Sequence, residues 1–319
     1  MLLLLVVLLG PRVDLRETPY TPKLPDDLES YLAREEAQAG PLVPGTEKHI
    51  VWAEASHQQT ELALVYLHGF SASRQETAPL CEDLAASLHA NLFCTRFAGH
   101  GLQDKEALGK VSVDDWYHDA REALAIGRRL GRRVILIGVS NGGALATWLA
   151  ANSEPSDLQA LILLAPNFGL ARPDSEVLLL PWGQLLVRSL VGERLHVQAK
   201  SEEHARYWTM DYPSRALLPM MGAVEAARRS PLGQLQVPAL LIHAEADPVV
   251  STAKASALFA RFGSAQKQEL FFQPHPGTDA HVLAGRIRSA ANTKEIEALI
   301  LHFLSTLPPN SGSTLAARL

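Results

Sequence analysis

Residues Val134–Gly143 read VILIGVSNGG, and this stretch decides the fold of the chain. Its first four residues are apolar with no polar residue between them, which predicts a strand buried on both faces. The segment after Ser140, NGGALATWLAA, is rich in helix-forming residues beyond its glycines. The stretch therefore predicts a sharp bend at Ser140 between a buried strand and a helix, with Gly138 and Gly142 two residues to either side.

The predicted bend makes Ser140 a candidate nucleophile. A serine hydroxyl is a weak nucleophile unless a base takes its proton, and a tight turn exposes Oγ to such a base. The free N–H groups at the start of the helix face any oxyanion that forms there. The bare pattern G-x-S-x-G is weak evidence, but a strand before it and a helix after it strengthen it. A glycine-rich turn with a surface serine is the alternative.

Other apolar segments extend the same architecture. Several are continuous runs of Leu, Ile and Val, as in a mostly parallel sheet covered by helices on both faces. Further candidate strands are His49–Ala53, Leu62–His68, Ala90–Phe97, Leu158–Ala165, Pro238–Ala244 and Gln268–Gln273. Helical segments lie between them, one of them starting with a capping pattern of Ser112 and Asp115. The sequence therefore predicts an α/β fold with a mostly parallel central sheet.

Composition and charge exclude several classes of protein. With 319 residues, 47% of them hydrophobic, the chain can bury a large core and is not disordered. The net charge of −5 offers no basic surface for nucleic acid. Cys81 and Cys94 form no disulfide framework and no metal-binding spacing, and a bridge between them stays open. The sequence contains neither H-E-x-x-H nor G-x-G-x-x-G, so we expect no metal and no cofactor.

The chain starts with an apolar leader, MLLLLVVLLG. Its run Leu2–Leu9 is far shorter than the ~20 residues that span a bilayer, with no basic residue before it and no clear cleavage site. It fits an export signal that begins further upstream, a weak membrane anchor, or an unusual terminus of a cytoplasmic protein. We favour the cell envelope, with membrane association through residues 1–10, and leave the oligomeric state open.

The rest of the chain divides into segments of different character. Between Pro166 and Val237 no strand is evident, and so long a stretch between two sheet strands predicts a helical insertion. Its large apolar residues either line a pocket or pack the insertion onto the sheet: Trp182, Tyr207, Trp208, Met210, Met220 and Met221. The predicted segments are the leader (1–10), an N-terminal extension (11–47), the core (48–166 and 237–307), the insertion (167–236) and a loose tail (308–319).

Among the 12 histidines, His281 is the candidate base for Ser140. It follows the last candidate strand in PGTDAHVLAG, and open α/β sheets place their sites at the carboxyl ends of strands. His275 is the nearest rival, although it lies between two prolines and closer to the strand. His243 lies inside an apolar run and is expected to be buried for structural reasons.

The candidate acid is Asp247, which would hold the imidazole in the correct tautomer. It follows the strong strand in LLIHAEADPVVS and precedes a proline that ends it. Glu245 is the second candidate. Asp279 lies on the same loop as His281 rather than opposite it. The order Ser140, Asp247, His281 is the one expected for this kind of sheet.

The motifs together resemble the α/β-hydrolase family over Lys48–Leu307. The resemblance rests on LHGF, FAGHG, GVSNGG, ADPVV and DAHVLAG, each following a candidate strand. The set is most similar to the branch of monoacylglycerol lipases, small carboxylesterases and serine-aminopeptidase-like hydrolases. This resemblance implies a doubly covered sheet with a cap formed by residues 167–236 over the acyl site.

The resemblance also implies roles for single residues. His68 and Gly69 would form an oxyanion loop with Phe70, whose N–H would be one donor and that of Asn141 the other. His100 in the GHG motif would shape the pocket floor without transferring protons. Many relatives carry Met or Gln where this chain has Asn141, but the backbone donor is retained. The short HGF loop lacks the longer glycine run of some lipases, which leaves the substrate width open.

These features predict a cofactor-free serine hydrolase that cleaves carboxylic esters with an apolar acyl group through an acyl-enzyme, with a small-molecule ester as the substrate. The same scaffold hosts peptidases, carbon–carbon hydrolases and cofactor-free peroxidases, so these alternatives stay open. A peptidase would need an acidic cap residue facing the nucleophile, for which Glu202 and Glu203 are candidates. A binding module that kept the fold and lost activity is a further alternative, which the three intact candidate residues disfavour.

Overall fold

The computed structural model describes residues 10–154 and 157–308. The predicted leader, apart from Gly10, and the predicted tail, apart from Pro308, lie outside the described residues. Membrane association through residues 1–10 therefore stays a prediction. Within the described ranges, none of the helices combines the length and the apolar character needed to cross a membrane.

The described residues form a large central sheet and a small second sheet. The strands are β1 (His49–Val51), β2 (Thr60–Leu67), β3 (Asn91–Cys94), β4 (Gly131–Val139), β5 (Leu158–Leu164), β6 (Arg194–His196), β7 (Asp211–Pro213), β8 (Ala239–His243) and β9 (Lys267–Phe271). The central sheet has the order β1-β3-β2-β4-β5-β8-β9. All its neighbouring strands are parallel except β1, which runs antiparallel to β3 at one edge.

Helices cover both faces of this sheet. The helices of the described residues are α1 (Leu28–Ala39), α2 (Leu80–Leu88), α3 (Val113–Leu130), α4 (Asn141–Ala151), α5 (Gly183–Val191), α6 (Glu202–Tyr207), α7 (Leu217–Arg229), α8 (Thr252–Ala260) and α9 (Thr293–Thr306). Residues from α3, α4, α7 and α8 pack on one face, and residues from α2 and α9 pack on the other. The α/β architecture predicted from the sequence is confirmed.

The middle strand β4 shows why both faces need a cover. Side chains point alternately to opposite faces of a strand, so Leu136 lies in one hydrophobic cluster and Ile137 in the other. Both side chains are fully buried. Burying both faces favours the uninterrupted apolar run from which the strand is predicted.

The segment between β5 and β8 differs from its prediction in one respect. It contains the helices α5, α6 and α7, but also a two-stranded antiparallel sheet of β6 and β7. The expectation of no strand there was wrong, because strands of three residues are too short to show a periodic pattern. Met220 and Met221 on α7 are buried in the main core, so they pack the segment onto the sheet.

The segment before β1 also packs onto the body of the protein. On α1, Leu28, Tyr31 and Leu32 join the larger hydrophobic cluster. Glu36 at the far end of this helix forms a buried ion pair with Arg96, 2.8 Å from Nε to Oε2. The same arginine donates from Nη1 to the carbonyl of His100 at 3.1 Å. The N-terminal helix thus contacts the loop after β3.

Candidate active site

Four loops meet at one edge of the central sheet. The strands β2, β4, β8 and β9 all run in the same direction, so their carboxyl ends lie at the same edge. Phe70 follows β2, Ser140 follows β4, Asp247 follows β8 and His281 follows β9. Residues far apart in the chain are therefore brought together by the parallel topology.

The backbone at Ser140 is strained in the way that a tight strand-to-helix turn requires. Ser140 has a φ of 51° and a ψ of −119°, in a region that non-glycine residues rarely adopt. Two glycines make the turn sterically feasible. A Cβ at Gly142 would lie 2.1 Å from the carbonyl oxygen of Leu67, and one at Gly138 would lie 2.7 Å from the carbonyl oxygen of Gly142. Both glycines therefore permit close backbone approach.

A continuous chain of hydrogen bonds joins the three candidate residues. His281 Nε2 lies 2.9 Å from Ser140 Oγ, and His281 Nδ1 lies 2.7 Å from Asp247 Oδ2. Because a carboxylate can only accept, Nδ1 carries the hydrogen and Nε2 is left to accept the serine proton. All three residues are buried to more than nine tenths.

The environment of His281 favours its protonated form. Burial alone would lower the pKa of the imidazole, but the hydrogen bond and the negative charge of Asp247 outweigh it and raise the pKa above its ordinary value. The carboxylate is held in turn, since its Oδ1 accepts from the amides of Val249 and Val250 at 2.8 and 3.0 Å.

The rival candidates occupy other places. Glu245 is exposed, and Asp279 accepts from the backbone N–H of His281 at 2.8 Å, so it shapes the loop. His275 pairs with Glu295 at 3.1 Å. His243 is fully buried, as expected, and its Nε2 lies 2.9 Å from a Glu269 oxygen.

His68 orients the loop after β2, which the sequence predicts to carry an oxyanion donor. Its Nε2 accepts from the amide of Phe97 at 3.1 Å, so Nδ1 carries the hydrogen and donates to the carbonyl of Gly69 at 2.8 Å. Burial lowers the pKa of His68 to about 4, which keeps the ring neutral. In a trans peptide the N–H points away from the carbonyl, so this bond aims the N–H of Phe70 to the opposite side.

Aromatic rings surround Phe70. His100 and Tyr212 make edge-to-face contacts with its ring, at centroid distances of 5.9 and 5.4 Å. His100 is buried, and burial, followed by the effect of His68, holds its pKa well below the ordinary value. A histidine that stays neutral is consistent with the predicted role in pocket shape. The contact with Tyr212, on β7, brings the insertion against the loop after β2.

A partly open cavity of about 330 Å³ lies between the insertion and the loop after β3, and neither Ser140 nor His281 lines it. Tyr207, Trp208 and Met210 line this cavity, so three of the six large apolar residues singled out from the sequence do line a pocket. The other three do not line it: Met220 and Met221 lie in the core, and Trp182 packs against Gly10.

One further residue at the site escaped the sequence reasoning. Glu76 is only 2% exposed, and its Oε2 accepts from the amide of Gly69 at 2.8 Å and from the hydroxyl of Tyr66 at 2.9 Å. In the polar stretch SASRQET a glutamate is indistinguishable from a surface residue. No group of three His, Cys, Asp or Glu residues in ranges 10–154 and 157–308 is arranged to hold a metal ion. Cys81 and Cys94 are buried free thiols.

Comparisons with known proteins agree with this fold. No curated protein matches the sequence significantly. One of the two metagenome-derived lipolytic enzymes LipS and LipT superposes with a TM-score of 0.68 at 20% identity, covering 82% of this chain and 98% of that one. The soluble variant of monoglyceride lipase from Saccharomyces cerevisiae superposes with a TM-score of 0.61 at 14% identity, covering 81% and 90%.

The monoacylglycerol lipase of Paleococcus ferrophilus is a further structural neighbour, with a TM-score of 0.60 at 15% identity and coverage of 81% and 97%. At these identities the likeness concerns the fold. Residues 58–273, more than half of the chain, match the family model Hydrolase_4, described as serine aminopeptidase, S33. The chain therefore belongs to this family of α/β hydrolases.

Proposed function

We propose that the protein is a serine hydrolase that cleaves carboxylic esters with an apolar acyl group through an acyl-enzyme. The observation that carries the proposal is the chain Ser140–His281–Asp247, with contacts of 2.9 and 2.7 Å. Membership of a hydrolase family and structural neighbours that are lipolytic enzymes support it. The preference for an apolar acyl group rests on the lipolytic neighbours alone, because neither Ser140 nor His281 lines the cavity beside the insertion.

In the first half-reaction, Ser140 Oγ attacks the ester carbonyl carbon while its proton moves to His281 Nε2. Asp247 stabilises the imidazolium that forms. The carbonyl oxygen becomes an oxyanion that accepts from the N–H groups of Phe70 and Asn141. As the first residue of α4, Asn141 has an N–H without an acceptor inside the helix. His281 then protonates the alkoxide, and the alcohol leaves.

In the second half-reaction, a water molecule takes the place of the alcohol. His281 accepts a proton from this water, whose oxygen attacks the acyl carbon, and the same amides stabilise the second oxyanion. The serine oxygen leaves with the proton held by His281. The carboxylic acid product is released, and Ser140 and His281 return to their starting protonation states.

An aminopeptidase is the second candidate, because the matching family is described as serine aminopeptidase. Such an enzyme needs a carboxylate for the ammonium group of the substrate. Glu202 and Glu203 are both exposed, and Glu203 pairs with Arg286 at 3.1 Å. This arrangement lends the peptidase no support, and aminoacyl nitroanilides in the same assay distinguish the two activities.

The test is hydrolysis of nitrophenyl esters of increasing acyl length by the wild type and Ser140→Ala. We expect kcat to fall on the order of 10⁴-fold or more without the nucleophile, with an unchanged unfolding temperature. Ser305→Ala, an exposed serine on α9, is the matched control and should keep full activity. Equal rates for wild type and Ser140→Ala would refute the proposal, and no labelling by a fluorophosphonate would favour a binding module.

A further inference from the structure

Glu76 is a buried carboxylate without a cationic partner. It lies in the short 3-10 turn Arg74–Glu76 that follows the oxyanion loop. Its hydrogen bonds come from the amide of Gly69 and the hydroxyl of Tyr66, and no Lys or Arg of the described part of the chain forms an ion pair with it. Burying a carboxylate in this way is costly, so its position calls for a reason beyond packing.

The carboxylate lies directly behind the oxyanion loop. A Cβ on Gly69 would be 2.7 Å from Glu76 Oε1 and 3.3 Å from the Cβ of Ser140, so Gly69 separates Glu76 from the nucleophile. Gly69 is held on both sides, since its N–H donates to Glu76 and its carbonyl accepts from His68. Together these bonds set the orientation of the next amide, that of Phe70.

Glu76 also touches the loop that carries the histidine. A Cβ on Gly285 would lie 2.4 Å from the carbonyl oxygen of Glu76, and the amide of Arg286 donates to the carbonyl of Ala78 at 2.9 Å. The negative charge of Glu76 contributes to the raised pKa of His281. The turn around Glu76 therefore contacts the oxyanion loop and the histidine loop at once.

Four titratable groups face Glu76: Tyr66 from β2, Cys81 from α2, and Asp279 and His281 from the loop after β9. Burial raises the pKa of Glu76 to about 7, although the hydrogen bonds from Gly69 and Tyr66 and the charge of His281 act in the opposite direction. Glu76 thus changes its charge in the pH range in which a histidine base also titrates.

We propose that Glu76 is a positioning residue, whose carboxylate holds Gly69 so that the Phe70 amide faces the oxyanion and whose charge assists protonation of His281. This inference rests on the proposed hydrolase function. The carboxylate makes a charge-assisted bond to the Gly69 amide, which is stronger than a bond to a neutral acceptor. The effect on His281 requires the ionised form, and the bond to Gly69 is weaker in the neutral form.

The test is the rate of labelling of Ser140 by a fluorophosphonate as a function of pH, in the wild type and in Glu76→Gln. Glutamine has nearly the same volume and still accepts from Gly69, so the variant should fold and bind the probe normally. Its maximal labelling rate should fall about tenfold, the size of an interaction of one pKa unit. As the pH falls, labelling of the wild type should be lost through the binding of two protons, at His281 and Glu76, and labelling of Glu76→Gln through the binding of one, at His281.

Tyr66→Phe is a second variant that leaves the carboxylate in place. It removes a hydrogen bond that lowers the pKa of Glu76, so labelling should begin to fall at a higher pH than in the wild type. Glu297→Gln is the matched control, because it removes another buried carboxylate, on α9, that bonds Ser87 and Lys294. The control should label at the wild-type rate and pH.

The outcomes separate the two proposals. A wild type that is not labelled at Ser140 would overturn the hydrolase function and this inference with it. If the wild type is labelled and Glu76→Gln has the same labelling rate and loses labelling at low pH in the same way, the inference about Glu76 is overturned and the hydrolase function stands. If Glu76→Gln does not fold, Tyr66→Phe decides. A Tyr66→Phe variant that loses labelling at the same pH as the wild type would overturn the inference about Glu76.

Discussion

At the scale of single residues, Asp247 uses its two oxygens for different partners. Oδ2 accepts from His281 Nδ1, and Oδ1 accepts from the amides of Val249 and Val250. The two amides determine which oxygen faces the histidine, because only Oδ1 is within reach of both. The acid therefore orients the imidazole and is itself oriented by the loop after β8.

Because the two oxygens of Asp247 have different partners, the effect of Asp247→Asn can be predicted. The amide oxygen of asparagine should keep the bonds to Val249 and Val250, which turns the NH₂ group towards His281 Nδ1. An NH₂ group donates, so Nδ1 must accept and the hydrogen moves to Nε2, where it blocks transfer from Ser140. We expect kcat/KM for nitrophenyl esters to fall about 10⁴-fold with little change in unfolding temperature.

Glu245→Gln is the control for this substitution, since Glu245 is an exposed carboxylate on the same loop. It should leave kcat/KM unchanged. Asp247→Asn with more than a tenth of the wild-type kcat/KM would contradict the assigned tautomer.

At the scale of elements, the turn between β4 and α4 depends on how closely backbones approach. The first turn of α4 packs against the end of β2, and the space at Gly142 is filled by the carbonyl oxygens of Leu67 and His68. Only a residue without a Cβ fits there, since both neighbours are backbone atoms, one in the last residue of β2 and one in the residue after it.

Gly142→Ala should therefore destabilise the protein. Alanine favours a helix over glycine by about 1 kcal/mol, but its Cβ would lie 2.1 Å from the Leu67 oxygen, and the collision outweighs the gain. We expect the free energy of unfolding in urea to fall by at least about 2 kcal/mol. Gly233→Ala is the control, because a Cβ at Gly233 meets no atom within 4 Å. Equal stability of the two variants would contradict this account.

At the scale of the whole molecule, the N-terminal helix α1 is tied to the site region by charge. Glu36 and Arg96 are both nearly fully buried, and Arg96 also bonds the carbonyl of His100. The end of α1, the loop after β3 and the aromatic surroundings of Phe70 are thus in one contact network. Helix α1 is therefore packed into the same domain as the central sheet.

Removing one partner of the Glu36–Arg96 pair should lower the free energy of unfolding more than removing both partners. Glu36→Leu leaves a buried arginine unpaired, and we expect the free energy of unfolding to fall by about 3–5 kcal/mol. Combining it with Arg96→Met removes the charge as well, so stability should be partly recovered. Asp14→Ala, which breaks an exposed pair with Arg16, is the control and should leave stability unchanged. A double variant less stable than Glu36→Leu would contradict the argument.

The central elements could be predicted because their signals are local. Each of the seven predicted strands overlaps a strand of the central sheet. In the inner strands, burial on both faces leaves a continuous apolar run. The strand predicted at Ala90–Phe97 spans only Asn91–Cys94, because the buried Phe97 that suggested a longer strand lies in the loop that follows. The strands β6 and β7 were not predicted, because three residues are too few to show the alternation of polar and apolar side chains.

The sequence by itself determined the α/β class, the bend at Ser140 and a short set of candidate acids and bases, because apolar periodicity and turn chemistry act between near neighbours. Only the tertiary structure decided which candidates meet. Ser140 and His281 are 141 residues apart, and their contact depends on the parallel order of β4, β8 and β9. The burial of Glu76 and of the Glu36–Arg96 pair was likewise decided by packing. Whether a charged side chain is solvated or enclosed depends on segments that are distant in the chain.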